Sequence, residues 1–271
     1  MSKVVDIHAH VGSSAALYVG GSIQVVTSRM EKHGITHSVV SPIPGFEDPY
    51  GMESVNKMNQ QVAEIQKANA RIFPLVLGVA EARHGERAAV SETAYALGEQ
   101  AMGGLMFHND FAGVEIYAPV MEAILHEVMH YSHARVVQMH TAQHSMLEPP
   151  FGLWMMAKKF PDITFLCGHP MMSMVQLENM AAIVKDCPNI YVDTCCTWTH
   201  DHAIETFAEK VGSVDQIMFG SDNPYWHESF CMDKLLVEQA DLSQEEKEKI
   251  SKTISENAKE TNFSYITNTL N

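Results

Sequence analysis

Short runs of β-branched and apolar residues alternate with longer amphipathic stretches along the chain. The apolar runs fall at residues 4–10, 38–41, 72–79, 104–107, 136–141, 163–167, 190–194 and 216–220, and each has the length and composition of a strand. Helix-length segments separate them, near residues 22–33, 54–68, 86–99, 117–132, 150–159, 173–186 and 202–210, with a helical pair after residue 231. Strands that alternate with helices predict a parallel sheet with right-handed crossovers. Eight such units in 271 residues fit an α/β fold of the (β/α)8 TIM-barrel kind better than a doubly wound open sheet. Two helix ends carry their own stop signals: Gly34 follows Arg29-Met30-Glu31-Lys32-His33, and Pro161 follows Phe160. No internal repeat, low-complexity tract or Gly/Ser-rich linker breaks the alternation, so residues 1–271 are expected to form a single domain.

Composition narrows the function. Hydrophobic residues make up 46% and charged residues 19%, enough to bury a large core and to exclude disorder as the main state. Lys and Arg number 18 against 33 Asp and Glu, a net charge of −15 with no basic cluster, which disfavours a nucleic-acid partner. No segment reaches the roughly 20 apolar residues of a membrane span, and the N-terminus lacks the pattern of a signal peptide. The five cysteines do not form a spaced disulfide framework, so a cytoplasmic protein is expected. Adjacent Cys195 and Cys196 are expected to be buried and inert, because no paired cation is evident in the sequence. Met171, Met172 and Met174 are expected to be flexible packing.

Fifteen histidines are the least ordinary count, and their positions matter more than their number. In Asp6-Ile7-His8-Ala9-His10 the two-residue period of a strand would put Asp6, His8 and His10 on one face. His140 ends the fifth strand, His169 follows the sixth in Cys167-Gly168-His169, and Asp222 follows the eighth in Gly220-Ser221-Asp222. All lie at carboxyl ends of strands, where barrel active sites are built. One histidine at a strand end is ordinarily structural, but four converging strand ends are harder to explain that way. Three neutral imidazoles and one carboxylate suit a borderline divalent ion such as Zn2+, with a position left for water.

These segments, with Phe219-Gly220-Ser221-Asp222-Asn223-Pro224, resemble the amidohydrolase superfamily. More narrowly, the chain looks like the amidohydrolase-2 branch, which includes aminocarboxymuconate-semialdehyde decarboxylase, resorcylate decarboxylases and several lactonases. The similarity extends to Met30-Glu31-Lys32-His33-Gly34-Ile35 and Glu256-Asn257-Ala258. The resemblance implies a distorted (β/α)8 barrel holding a divalent metal, Zn2+ first and Mn2+ as the alternative, on His8, His10, His140 and Asp222. It implies that His169 orients or deprotonates the attacking water, or else joins the metal ligands. Asp222 would accept the water proton and pass it to the leaving group. Binuclear relatives carry a bridging lysine at the end of strand four. Here that strand reads Gly104-Leu105-Met106-Phe107-His108, so one metal is implied. A second departure is His169-Pro170-Met171, where the branch usually has glycine after the histidine.

The expected activity is hydrolysis of an ester, lactone or amide carbonyl in a small neutral or monoanionic substrate. The alternatives are non-oxidative decarboxylation of an unsaturated or aromatic carboxylic acid, and a metal-binding barrel without catalysis. The resemblance also allows a homodimer. Residues 11–22, 42–53, 108–117, 142–150, 170–175, 195–202 and 221–232, which follow strands, contain no Lys or Arg. Arg83, in the third such loop, is therefore the candidate carboxylate clamp, with His108, Trp198 and Trp226 as candidate substrate contacts.

His126-Glu127-Val128-Met129-His130 matches the helical signature of zinc metalloproteases. Tyr117, Val120, Met121, Ile124, Leu125 and Val128 form the apolar stripe of the same helix. Glu122, His126, His130 and His133 then fall on the solvated face, which argues against a cleft-buried zinc pair.

Overall fold

The computed structural model describes residues 4–14, 19–44, 52–197, 200–225 and 229–252. Strand β1 (Val5–Ser14) is followed by β2 (Val19–Gly21), which returns antiparallel along its far end. Seven more strands run parallel to β1: β3 (His37–Pro42), β4 (Leu75–Val76), β5 (Gly104–Phe107), β6 (Val136–His140), β7 (Thr164–Gly168), β8 (Ile190–Asp193) and β9 (Ile217–Met218).

Their hydrogen bonding gives two sheets, β2-β1-β3-β4 and β5-β6-β7-β8-β9. Two seams join the sheets. At one, Gly78 donates to the Gly104 carbonyl at 2.9 Å and Met106 donates to the Gly78 carbonyl at 2.8 Å. At the other, Ile7 donates to the Phe219 carbonyl at 2.9 Å and His10 to the Asn223 carbonyl at 2.7 Å. The circle of eight parallel strands is thereby closed.

The packing agrees with closure. Val5, Ile7, Val39, Leu75 and Leu77 form one buried cluster with Met106, Val136, Leu166, Tyr191 and Met218, so all eight parallel strands contribute to the interior and no helix does. The outward residues, such as Val40, Val76, Leu105, Val137, Phe165, Val192 and Ile217, pack with helical side chains in a second cluster. That outer layer comprises α1 (Ile23–His33), α2 (Met52–Ala68), α3 (Glu86–Ala94), the short α4 (Asn109–Ala112), α5 (Pro119–Val128), α6 (Pro150–Lys159), α7 (Met174–Asp186), α8 (Ala203–Val211), α9 (Ser229–Gln239) and α10 (Gln244–Lys252).

Local chemistry sets several boundaries. Gly34 closes α1 in the left-handed region at φ 70°, and its N–H bonds the Glu31 and Met30 carbonyls. The strand expected over 72–79 is regular only at Leu75–Val76, since Pro74 has no N–H to give a ladder. The helix expected over 117–132 is shorter, because Pro119 starts it and the chain turns after Val128. No described helix is long and apolar enough to cross a membrane.

One irregularity positions the site. The β1–β3 register slips between Asp6 and Ala9, where the interval Asp6–Ala9 faces only Ser38–Val40. This bulge changes the parity of β1. Val5 and Ile7 below it face the interior, Ala9 and Val11 above it pack with the outer layer, and His8 and His10 converge on the upper mouth of the barrel.

Candidate metal centre

His8 and His10 from the middle of β1, His140 from the end of β6 and Asp222 from beyond β9 come together, with one ligand-type atom from each lying within 4.8 Å of the others. All four are buried. His8 Nε2 is 3.1 Å from Nε2 of His10, 3.1 Å from Nε2 of His140 and 3.4 Å from Oδ1 of Asp222. His10 Nε2 is 3.1 Å from the same carboxylate oxygen.

The opposite ring nitrogens are committed elsewhere. His8 Nδ1 meets Asp193 Oδ2 at 2.5 Å, His140 Nδ1 donates to the Phe107 carbonyl at 2.8 Å, and His10 Nδ1 faces Ser41 Oγ and the Pro42 carbonyl at 2.8 and 3.2 Å. A carbonyl or carboxylate accepts only, so these contacts place the protons on Nδ1 and leave the Nε2 lone pairs facing one another. Three lone pairs and a carboxylate oxygen at such distances repel unless a cation stands among them. Tetrahedral zinc with ligands at about 2.0–2.1 Å would space its donors by roughly 3.3 Å, close to what is found.

Electrostatics favour the neutral state at two of the three rings. Burial lowers the pKa of His10 and lowers that of His140 further, which keeps both rings neutral. Burial also opposes charge on His8, but the facing carboxylate of Asp193 outweighs it and raises its pKa. Burial would raise Asp222, yet the close approach of His10 and the neighbouring imidazoles holds it down to about 2.

Close approach explains two glycines. A Cβ on Gly168 would sit 3.0 Å from His8 Cε1, and one on Gly220 would sit 2.7 Å from Asp193 Cβ. Larger residues there would push on the rings that define the cluster.

His169 lies beside the four, with Nε2 3.8 Å from Asp222 Oδ2. Both His169 and Asp222 occupy the left-handed backbone region, at φ 60° and 53°, which turns their side chains toward each other at a cost in strain. Burial works against charge on His169, but Cys196 and Asp222 lift its pKa to about 10.

Asp6 departs from the expected arrangement. Because of the bulge it does not share a face with His8 and His10. Its Oδ1 accepts from the N–H groups of His8 and Ser221, and its Oδ2 from Ser221 Oγ at 2.6 Å, so it braces the β1–β9 seam. Burial raises its pKa to about 7. Asp193 is the organising residue that the sequence reading missed, although it too ends a strand. One oxygen holds His8, and the other accepts from the His169 N–H, the Cys195 N–H and the Cys195 thiol.

His108 reaches the cluster by stacking on His140, with ring centres 4.3 Å apart, and its Nδ1 is 3.1 Å from buried Glu148. Arg83 is not brought there. It pairs with Glu81 at 3.0 Å and lines a neighbouring apolar chamber that opens beside His108. Trp198 and Trp226 lie outside the described residues. His126 and His130 are exposed, and His130 lies beyond the end of α5. Cys195 and Cys196 are buried as expected, but they adjoin the His169 imidazole, which the sequence alone did not reveal.

A family model described as amidohydrolase matches residues 5–259. No curated protein matches the chain. Among solved structures, a TIM-barrel protein from Bordetella bronchiseptica superposes with a TM-score of 0.73 at 14% identity, over 97% of this chain and 99% of that one. A 5-carboxyvanillate decarboxylase from Novosphingobium aromaticivorans, with bound manganese and 3-methoxy-4-hydroxy-5-nitrobenzoic acid, gives 0.69 at 14% identity over 97% of both chains. A 4-oxalomesaconate hydratase from Rhodopseudomonas palustris gives 0.66 at 13% identity, over 98% of this chain and 97% of that one. At these identities the likeness is one of fold.

Proposed function

The chain belongs to the amidohydrolase-2 family, and on that premise we propose that it is a hydrolase using one catalytic divalent cation, Zn2+ or Mn2+, held by His8, His10, His140 and Asp222. The observation that carries this reading is the meeting of three imidazole lone pairs and a carboxylate oxygen, each ring already tied down at its other nitrogen. When bound, such a cation supplies a Lewis acid that polarises a carbonyl and lowers the pKa of water to about 7. The chain's own groups do the rest. Asp193, Phe107 and Ser41-Pro42 fix the tautomers and tilts of the three rings. Asp222 is ionised at neutral pH and turns one oxygen toward His10 and the other toward His169. It can therefore accept the proton of the attacking water and return it to the leaving group, while His169 orients that water.

The cleft over the cluster is lined by His108, Phe111, Thr141, Met172, Cys196 and Tyr225 among others, with no Lys or Arg among its described residues. Arg83 answers Glu81 instead. A small, neutral or monoanionic ester, lactone or amide suits such a cleft better than a dianion.

One observation favours decarboxylation as a second reading. His108 lies flat against His140, and Phe111 meets it at 4.3 Å, which gives an aromatic wall for an unsaturated or aromatic carboxylic acid. The manganese-bound decarboxylase of similar fold acts within the same family architecture. A screen of the metal-loaded protein against lactones, esters and unsaturated carboxylic acids separates the readings. Acid release from a lactone or ester is expected. Release of CO2 without hydrolysis would put decarboxylation in its place, and a stoichiometric cation without turnover would leave a metal-binding barrel.

A further inference from the structure

Two thiols and an imidazole meet on the side of His169 away from Asp222. Cys195 and Cys196 follow β8, and neighbouring side chains of an extended chain point to opposite sides. Cys196 breaks that alternation by adopting φ 61°, in the left-handed region that residues with a Cβ rarely enter. The turn puts both Sγ atoms on one side. Cys195 Sγ is 3.2 Å from His169 Nδ1, and a ring nitrogen of His169 and the two sulfurs all lie within 4.8 Å of one another. Both cysteines are buried, at 0% and 4% exposure. Backbone strain of this kind persists only where its surroundings enforce it. Asp193 is one such restraint, since it accepts from the N–H groups of Cys195 and His169 and from the Cys195 thiol.

We propose that His169, Cys195 and Cys196 form a second cation site, separate from the four-residue cluster, which takes a thiophilic ion of the Zn2+, Cd2+ or Cu+ class. Two sulfurs and one imidazole are a donor set that zinc accepts with a fourth position open. Sulfur donors discriminate against Mn2+ and Mg2+, so the two sites differ in preference. A tetrahedral ion would space these atoms by roughly 3.5–3.8 Å, which asks for shifts of about 1 Å or less. A divalent ion displaces two protons to solvent, one from the Cys195 thiol and one from the Cys196–His169 pair, which frees Nδ1 as a donor, and its charge then balances two thiolates in a buried place. His169 would bind through Nδ1, leaving Nε2 toward Asp222.

Cadmium is the probe. The full chain, first saturated with Mn2+, is titrated with Cd2+ while sulfur-to-cadmium charge-transfer absorption in the ultraviolet and bound metal are measured together. The absorption should break at one Cd2+ per chain, with release of about two protons. Cys195→Ser and Cys196→Ser should each abolish it, and His10→Ala should keep it. His169→Gln retains both thiols and should weaken cadmium binding about tenfold or more, which decides the matter if the serine variants fail to fold. No break at one equivalent in the unaltered protein, absorption that survives in both serine variants, or undiminished affinity in His169→Gln would overturn the site.

Discussion

A histidine binds a cation only as the neutral ring, and here burial and fixed Nδ1 partners impose that state on His10 and His140 before any cation arrives. His8 depends instead on the charge of Asp193. Asp193→Asn should therefore weaken Mn2+ binding by about 10–100-fold, as measured by titration, while unchanged affinity would show that the carboxylate is dispensable. His169→Asn should leave Mn2+ bound and lower kcat about 100-fold or more, and loss of the metal would make His169 a ligand instead. His8 and His10 were legible from their two-residue spacing within β1, and His140 and Asp222 because each ends or follows a strand. Asp6 was misplaced because period-two reasoning has no knowledge of a bulge, which arises from pairing with β3. The neighbours of Cys196 were invisible for a related reason: His169 lies 27 positions earlier, and only the β7–β8 pairing brings the two together.

Element boundaries follow the local periodicity of the sequence where local stop signals are strong. The stop at Gly34 and the ends of α6 and α7 fall where the sequence puts them, because a left-handed glycine or a following proline acts within one turn. Strand β4 was overestimated, since its apolar run continues past Val76 while its regular pairing does not. The apolar stripe of α5 is buried at Met121, Ile124, Leu125 and Val128, with His126 and His130 exposed. Replacing His126 and His130 together by alanine should leave metal content unchanged by elemental analysis, and loss of metal would revive the protease-like pair. Helix α9 carries a different signature. Asp233 is buried with Oδ1 unpaired, and burial pushes its pKa up to about 10. The folded state then keeps a proton that the unfolded chain releases above about pH 4, so this residue makes stability fall as pH rises toward 10. Asp233→Asn should flatten that decline by up to about 1.4 kcal/mol per pH unit between about pH 5 and 8, read from denaturant unfolding. An identical slope in the variant would mean that Asp233 ionises normally.

At the scale of the whole molecule, closing the barrel makes the site, because its groups come from strands that are distant in sequence. The β1–β9 seam sets Asp222 beside His10, and Asp6 and Ser221 lock that seam with a buried bond. The alternation of strands and helices foretold eight parallel units, but the two seams that join the sheets at Gly78 and Ile7 carried no sequence signal of their own. The charge of −15 gains a local meaning as well: the described lining of the cleft has no Lys or Arg, so a bound cation would dominate its field. The central claim is that His8, His10, His140 and Asp222 hold one catalytic divalent ion. Mn2+ titration followed by paramagnetic resonance tests it most directly, on the unaltered chain and on a His10→Ala, His140→Ala double variant. One tightly bound Mn2+ per chain, lost in the double variant while the fold survives by circular dichroism, is the predicted result. Mn2+ that stays bound to the folded double variant, or that never binds the unaltered chain, would contradict it.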